Sequence, residues 1–156
     1  IASSIFGLGR AAVVAVNKWD LVTPEVRDAL ETSWGRLDEL LYRPLRVNLS
    51  AASGRGVQKL LPAVEEVRAA HHRELGTGEV NRLFERAVAR HHPPAVGQRA
   101  WKFYYATQVR TAPPTFMIFA NATLQRGSAY RRYLENTVRR ELDLRGVPAR
   151  LVVRKR

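Results

Sequence analysis

The chain has 156 residues, 46% hydrophobic and 26% charged, proportions that fit one ordinary domain or two small ones and exclude wholesale disorder and fibrous repeats. With no cysteine, no apolar run near the ~20 residues of a membrane-spanning helix and no signal-peptide pattern, it reads as soluble and unexported, without disulfides, thiolate nucleophiles or zinc–thiolate sites. The formal charge of +12 is one-sided: residues 1–79 hold ten Lys/Arg against ten Asp/Glu and residues 80–156 sixteen against four, which points the second half at an anionic partner, nucleic acid rather than a membrane.

Ile1-Ala2, Ile5-Phe6 and Leu8 have the spacing of the last turns of an amphipathic helix stopped by Gly7 or Gly9, so the chain is expected to open partway through a domain. Ala11-Ala12-Val13-Val14-Ala15-Val16 is a continuous apolar run with β-branched content, the pattern of a strand covered on both faces in a parallel sheet. Thr23 and Pro24 form an N-cap and first-turn pair for a helix whose apolar stripe is Val26, Leu30, Trp34, Leu37 and Leu41. A second strand is expected over 44–49 and a second helix over 57–73, with a kink at Pro62. Strand, helix, strand, helix with short loops is the doubly wound α/β pattern.

Gly76-Thr77-Gly78 interrupts this pattern where the charge balance changes, and marks a linker at 76–78 between a domain over 1–75 and another over 79–156. Val80, Leu83, Phe84, Ala87 and Val88 then mark a helix that ends before Pro93-Pro94. Trp101, Phe103, Tyr105, Thr107 and Val109 alternate with Lys102, Tyr104, Ala106, Gln108 and Arg110, the period of a half-buried strand with the first set on its apolar face. After a Pro113-Pro114 turn come a strand over 115–121, a helix capped by Ser128 and a strand over 149–154. The order is helix, strand, strand, helix, strand. The four histidines stand in adjacent pairs, His71-His72 and His91-His92, which do not suit one metal ion, and no metal site is expected.

Two motifs carry chemistry. Asn17-Lys18-Trp19-Asp20 follows the first expected strand and Ser50-Ala51-Ala52-Ser53-Gly54 the second; they match N-K-x-D and S-A-x-x-G, the guanine-recognition elements of P-loop GTPases. A carboxylate at Asp20 can accept from both the ring N1–H and the exocyclic amine of guanine. Adenine offers neither donor, and a site that reads by hydrogen bonding rejects such an analogue by about 10⁴ to 10⁵. Asn17 would brace the loops and approach the N7 edge, the Lys18 stem would lie along the base plane, and the Ala51 N–H would donate to guanine O6. Both motifs end parallel strands, where open α/β sheets place ligands. No G-x-x-x-x-G-K-[ST] occurs, so no phosphate loop is expected in this chain.

The second half resembles one GTPase family in particular. Asn81-Arg82-Leu83-Phe84-Glu85-Arg86-Ala87-Val88, His92-Pro93-Pro94 and Tyr105 through Phe116, with its Y-A-T-Q-V run, are similar to the C-terminal domain of the Der (EngA) family, as are Tyr130-x-x-Tyr133-Leu134-Glu135-Asn136 and Gly146-Val147-Pro148-Ala149-Arg150. The resemblance implies an α/β fold: an incomplete doubly wound P-loop GTPase domain over 1–75, its trailing strands and helices only, followed by a small KH-like domain over 79–156. It implies GTP or GDP on Asn17, Lys18, Asp20, Ser50 and Ala51 in the intact protein, Mg²⁺ held by the missing part, and a bacterial, cytoplasmic role in assembly of the large ribosomal subunit. The implied partners are ribosomal RNA and the missing N-terminal GTPase domains in cis. GTP hydrolysis belongs to the family and no catalytic residue is assigned here, because nothing matches the phosphate, magnesium or switch positions.

A G-x-x-G loop, with which RNA-binding KH domains clamp the backbone, is absent from the sequence. Any RNA contact is therefore sought on a sheet face and its edge: Lys102, Tyr104, Arg110, Arg150, Arg154 and Arg156, with Gln108 beside them and Arg131, Arg132, Arg139 and Arg140 as further phosphate contacts. Trp101, Phe103 and Tyr105 are assigned to the core. The alternative is a freestanding nucleic-acid-binding module with no nucleotide-dependent activity.

Overall fold

The computed structural model describes residues 2–93, 95–96 and 99–156, and for 2, 3, 95, 96 and 99 the backbone alone; the expectations at Ile1 and Pro94 lie outside these. Two compact units form. One runs to His71 and also takes in Leu144–Pro148; the other comprises His72–Asp143 and Ala149–Arg156.

In the first unit a short helix α1 (Ala2–Gly7) precedes β1 (Val13–Val16), α2 (Pro24–Leu41), β2 (Leu45–Asn48) and α3 (Leu60–His71). Thr23 caps α2 as its sequence dictates, its hydroxyl accepting from the Val26 N–H, with Pro24 in the first turn where a missing N–H costs nothing. α3 is preceded by a 3₁₀ turn (Val57–Lys59), so Pro62 falls in its first turn. A proline there calls for no kink, because those N–H groups have no intrahelical partner to lose. β1 and β2 pair in parallel, Val13 with Leu45 through Val16 with Asn48.

β1 is not covered on both faces as its composition suggested. Val13, Val14 and Val16 are only half-buried and Ala15 is exposed, whereas Val47 on β2 is 5% exposed. β2 is the only strand that β1 pairs with among the described residues. The helices share this openness: α2 buries only Leu41 and α3 only Val67, while Leu61 stands 69% exposed and Val26, Leu40 and Val64 are also exposed. Leu144–Pro148 closes part of the unit. The Ala12 N–H donates to Gly146 O at 2.8 Å, the Gly146 N–H donates to Tyr42 O at 3.1 Å, and Arg145 pairs with Glu66 at 3.0 Å.

The second unit is closed on one side. α4 (Thr77–Arg90) precedes a short hairpin of β3 (Ala95–Val96) and β4 (Arg99–Ala100), then β5 (Phe103–Arg110), β6 (Thr115–Ala120), α5 (Ala129–Glu141) and β7 (Arg150–Lys155). The sheet order is β5-β6-β7, with β5 antiparallel and β7 parallel to the central β6. Apart from the β3-β4 hairpin, which was not expected, the helix, strand, strand, helix, strand order is the expected one. Both helices lie on one face: Val80, Phe84 and Ala87 of α4 and Leu134 and Val138 of α5 pack with Phe116, Ile118, Ala120 and Leu151, none more than 2% exposed. Phe84 lies 6.2 Å from Phe103 and 6.1 Å from Phe116, ring to ring. Ser128 caps α5 by accepting from the Arg131 N–H. Arg90 bridges α4 to Glu141 of α5 at 2.6 Å, and this hydrogen bond holds the Glu141 carboxyl below its ordinary range.

The alternation expected in β5 is broken by one extra residue. Phe103 stands opposite Ala120, but the next pair is Tyr105 with Phe119, so Tyr104 is a bulge. From Tyr105 to Gln108 each side chain changes face: Ala106 and Gln108 turn to the helices, and Tyr105 and Thr107 turn away from them. Gln108 accepts from the Leu75 N–H and donates to Arg73 O, each at 2.8 Å. It leaves the expected polar face, and Tyr105 leaves the core. A second register shift sets Arg110 opposite Thr115.

Candidate functional site

Parallel pairing of β1 with β2 delivers the two sequence motifs to one edge. The ladder continues beyond the strands, with the Leu49 N–H donating to Val16 O and the Trp19 N–H to Leu49 O, both at 3.0 Å. Asn17 then joins the loops: its Oδ1 accepts from the Lys18 N–H at 2.8 Å and from the Ala51 N–H at 3.0 Å. This pair of bonds holds Lys18 in a left-handed conformation, φ +59°, uncommon for a residue with a side chain. The Lys18 side chain is exposed, and Asp20, in a 3₁₀ turn (Trp19–Leu21), is exposed with no partner among the described residues.

Ser50 is 1% exposed and serves the loop itself. Its N–H donates to Arg55 O at 2.8 Å and its hydroxyl accepts from the Ser53 N–H at 3.3 Å. The Ala51 N–H, expected on a guanine O6, is held by Asn17. Asp20 and Ser50 border a cavity of about 330 Å³, lined also by Trp19, Arg55, Gly56 and Lys59. Asn17, Lys18 and Ala51 lie outside its lining. Gly56 is the residue that sequence reading passed over: at φ +80° a Cβ there would collide with Asn48 O and stand 3.2 Å from Leu49 Cα, so the return of this loop against β2 requires glycine. Its offset from the S-A-x-x-G glycine was the only signal.

Among the cationic candidates, the ladder places Arg110, Thr115 and Arg150 in one row and Tyr105, Phe119 and Arg154 in another. The parity of β7 puts Arg150, Arg154 and Arg156 on the face away from the helices. Arg156 reaches across the sheet, its guanidinium 5.9 Å from the Tyr105 ring centre. Lys102 and Tyr104 stand together instead, with the ammonium 5.9 Å from the Tyr104 ring centre. Arg131 and Arg139 are engaged with Glu135, their side chains 18% and 11% exposed, which withdraws them from phosphate contact; Arg132 and Arg140 are exposed. Among the described residues, no group of His, Asp and Glu is placed to hold a metal ion and no helix is long and apolar enough to cross a membrane.

Comparison with known proteins agrees with this architecture. A family model described as the KH-domain-like domain of EngA bacterial GTPase enzymes, C-terminal, matches residues 74–154. Proteins called GTPase Der are similar over nearly the whole chain: that of Parvibaculum lavamentivorans is 40% identical over 99% of the chain and 33% of its own length. Those of Mycobacterium avium (40%, over 100% and 33%) and Novosphingobium aromaticivorans (42%, over 99% and 34%) are alike. The chain spans about a third of the length of the curated relatives it matches.

Proposed function

Because the chain belongs to the EngA (GTPase Der) family, we propose that it serves as the C-terminal part of a GTP-binding ribosome-assembly factor: residues 1–75 complete a P-loop GTPase domain by supplying its guanine-reading loops, and residues 79–156 form a KH-like module that docks on ribosomal RNA in the bacterial cytoplasm. The observation that carries the reading is the Asn17 bridge to Ala51, which locks two guanine-recognition sequences side by side at the carboxyl ends of parallel strands. In this role Asp20 pairs with the guanine N1–H and amine, Lys18 lies along the base, and the Ala51 amide is shared between Asn17 and guanine O6. The half-buried β1 and the exposed apolar residues of α2 and α3 are surfaces suited to further strands and helices of such a domain. The phosphates and Mg²⁺ of GTP would be held by polypeptide beyond these residues.

The docking half is tested by salt. Phosphate-led binding to single-stranded RNA falls with a log–log slope of about −0.7 per phosphate neutralised, so four contacts give about −3. Titrating a labelled RNA at several salt concentrations is expected to show that slope, and to show a shallower one after joint replacement of Lys102, Arg110 and Arg154. Salt-independent binding, or a triple variant that behaves as wild type, contradicts docking through this face.

A further inference from the structure

We propose that the open face of the β5-β6-β7 sheet is a base-stacking platform for single-stranded RNA, formed by Tyr105 and Phe119 and flanked by Arg154 and Arg156; it deepens the docking reading above and rests on it. The Tyr104 bulge sends Tyr105 to the face that α4 and α5 leave uncovered. There its ring stacks on Phe119 with centroids 4.4 Å apart and planes at 16°, next to Arg154 in the same ladder row and beneath the Arg156 guanidinium. Tyr105, Met117 and Phe119 are half-buried, and Val152 in the next row is 39% exposed. An apolar patch of this kind within a unit this basic has a specific chemical complement.

Charge decides which partner it fits. β5, β6 and β7 contain no Asp or Glu and carry Arg110, Arg150, Arg154 and Lys155. Of the four acidic residues in 80–156, Glu135 and Glu141 are paired with arginines of the two helices. A single strand presents a ring face and a negative phosphate in every nucleotide, so a row of aromatic rings beside a row of guanidinium groups meets both needs. A duplex hides its ring faces in its own stack and offers this surface phosphates alone.

The test measures fluorescence anisotropy of a labelled oligouridylate of about ten nucleotides and of an abasic strand of equal length and charge, each titrated with the 156-residue chain. Base stacking predicts that the oligouridylate binds about tenfold tighter than the abasic strand. Tyr105→Ala is expected to bring the two affinities together, with Tyr105→Leu as a variant that retains apolar bulk; should neither fold, the wild-type comparison alone decides. Equal affinity for both strands overturns the platform while docking through phosphates stands. Tighter binding to an RNA hairpin stem than to the oligouridylate also overturns the platform. Binding of neither strand overturns the docking reading and the platform with it, and binding of polyglutamate in their place would identify an acidic protein as the occupant.

Discussion

In a protein that joins this chain to a phosphate-binding loop, replacing Asp20 by asparagine is expected to cut GTP affinity by about 10² to 10⁴ and to raise affinity for XTP. In the proposed role the carboxylate would accept from the guanine N1–H and amine, and hydrogen bonds to a charged group contribute about 1.5–3 kcal/mol each, so losing two amounts to about 3–6 kcal/mol. The side-chain amide introduced by Asp20→Asn supplies a donor that suits the 2-oxo group of xanthine. Asp20 is exposed and otherwise without a partner among the described residues, so the substitution leaves no buried group unsatisfied, and the effect is confined to the ligand. Competition of GTP and XTP for a fluorescent guanine nucleotide measures it. An unchanged preference for GTP would remove Asp20 as the reader of the base.

Gly146→Ala is expected to destabilise the first unit by about 3 kcal/mol or more while the second retains its core. Gly146 has φ +65°, and a Cβ there would collide with Ala12 O and stand 3.3 Å from Pro44 Cα. That backbone cannot retreat without straining the two hydrogen bonds that tie the segment to Ala12 and Tyr42. The substitution therefore combines left-handed strain of about 1–2 kcal/mol with a backbone clash. Gly54→Ala is the control in the same unit: its φ is +75° but nothing lies within 4 Å, so it incurs only the strain. Hydrogen exchange resolves the two. Gly146→Ala should accelerate exchange in β1 and β2 by about 10² while the amides of β6 stay slow. Equal effects of the two substitutions would show that the segment is not clamped.

What the sequence revealed, and what it concealed, follows from the range of the forces involved. The caps at Thr23 and Ser128 and the first-turn Pro24 were legible because a cap is settled within three residues. The order of strands and helices was legible because periodicity is local. The bulge at Tyr104 was not, since it exists only in the pairing of β5 with β6, and a strict reading of alternation put Tyr105 in the core and Gln108 on the polar face. Pro62 was placed a turn too deep by a few residues of helix boundary, enough to make a breaker of a good first-turn residue. The apolar run of β1 suggested burial that its partners in this chain do not supply. Gly146 gave no sign of its role, because its constraint comes from Ala12 and Tyr42, more than a hundred residues away in sequence. In the candidate site, Asn17, Lys18 and Asp20 were legible as a motif, but the engagement of Ser50 by its own loop and of the Ala51 amide by Asn17 emerged only from geometry.

In the proposed role Asn17–Asp20 and Ser50–Ala51 read guanine as a base, independently of any phosphate site. Amide-resolved NMR of the 156-residue chain titrated with guanosine, and in parallel with adenosine, addresses it directly at the millimolar concentrations that base contacts alone permit. Guanosine should shift the amides of Lys18, Asp20 and Ala51, the last because its N–H is drawn from Asn17 toward the base oxygen, while adenosine leaves them in place. Equal shifts with the two nucleosides, or none at these positions, would contradict the claim.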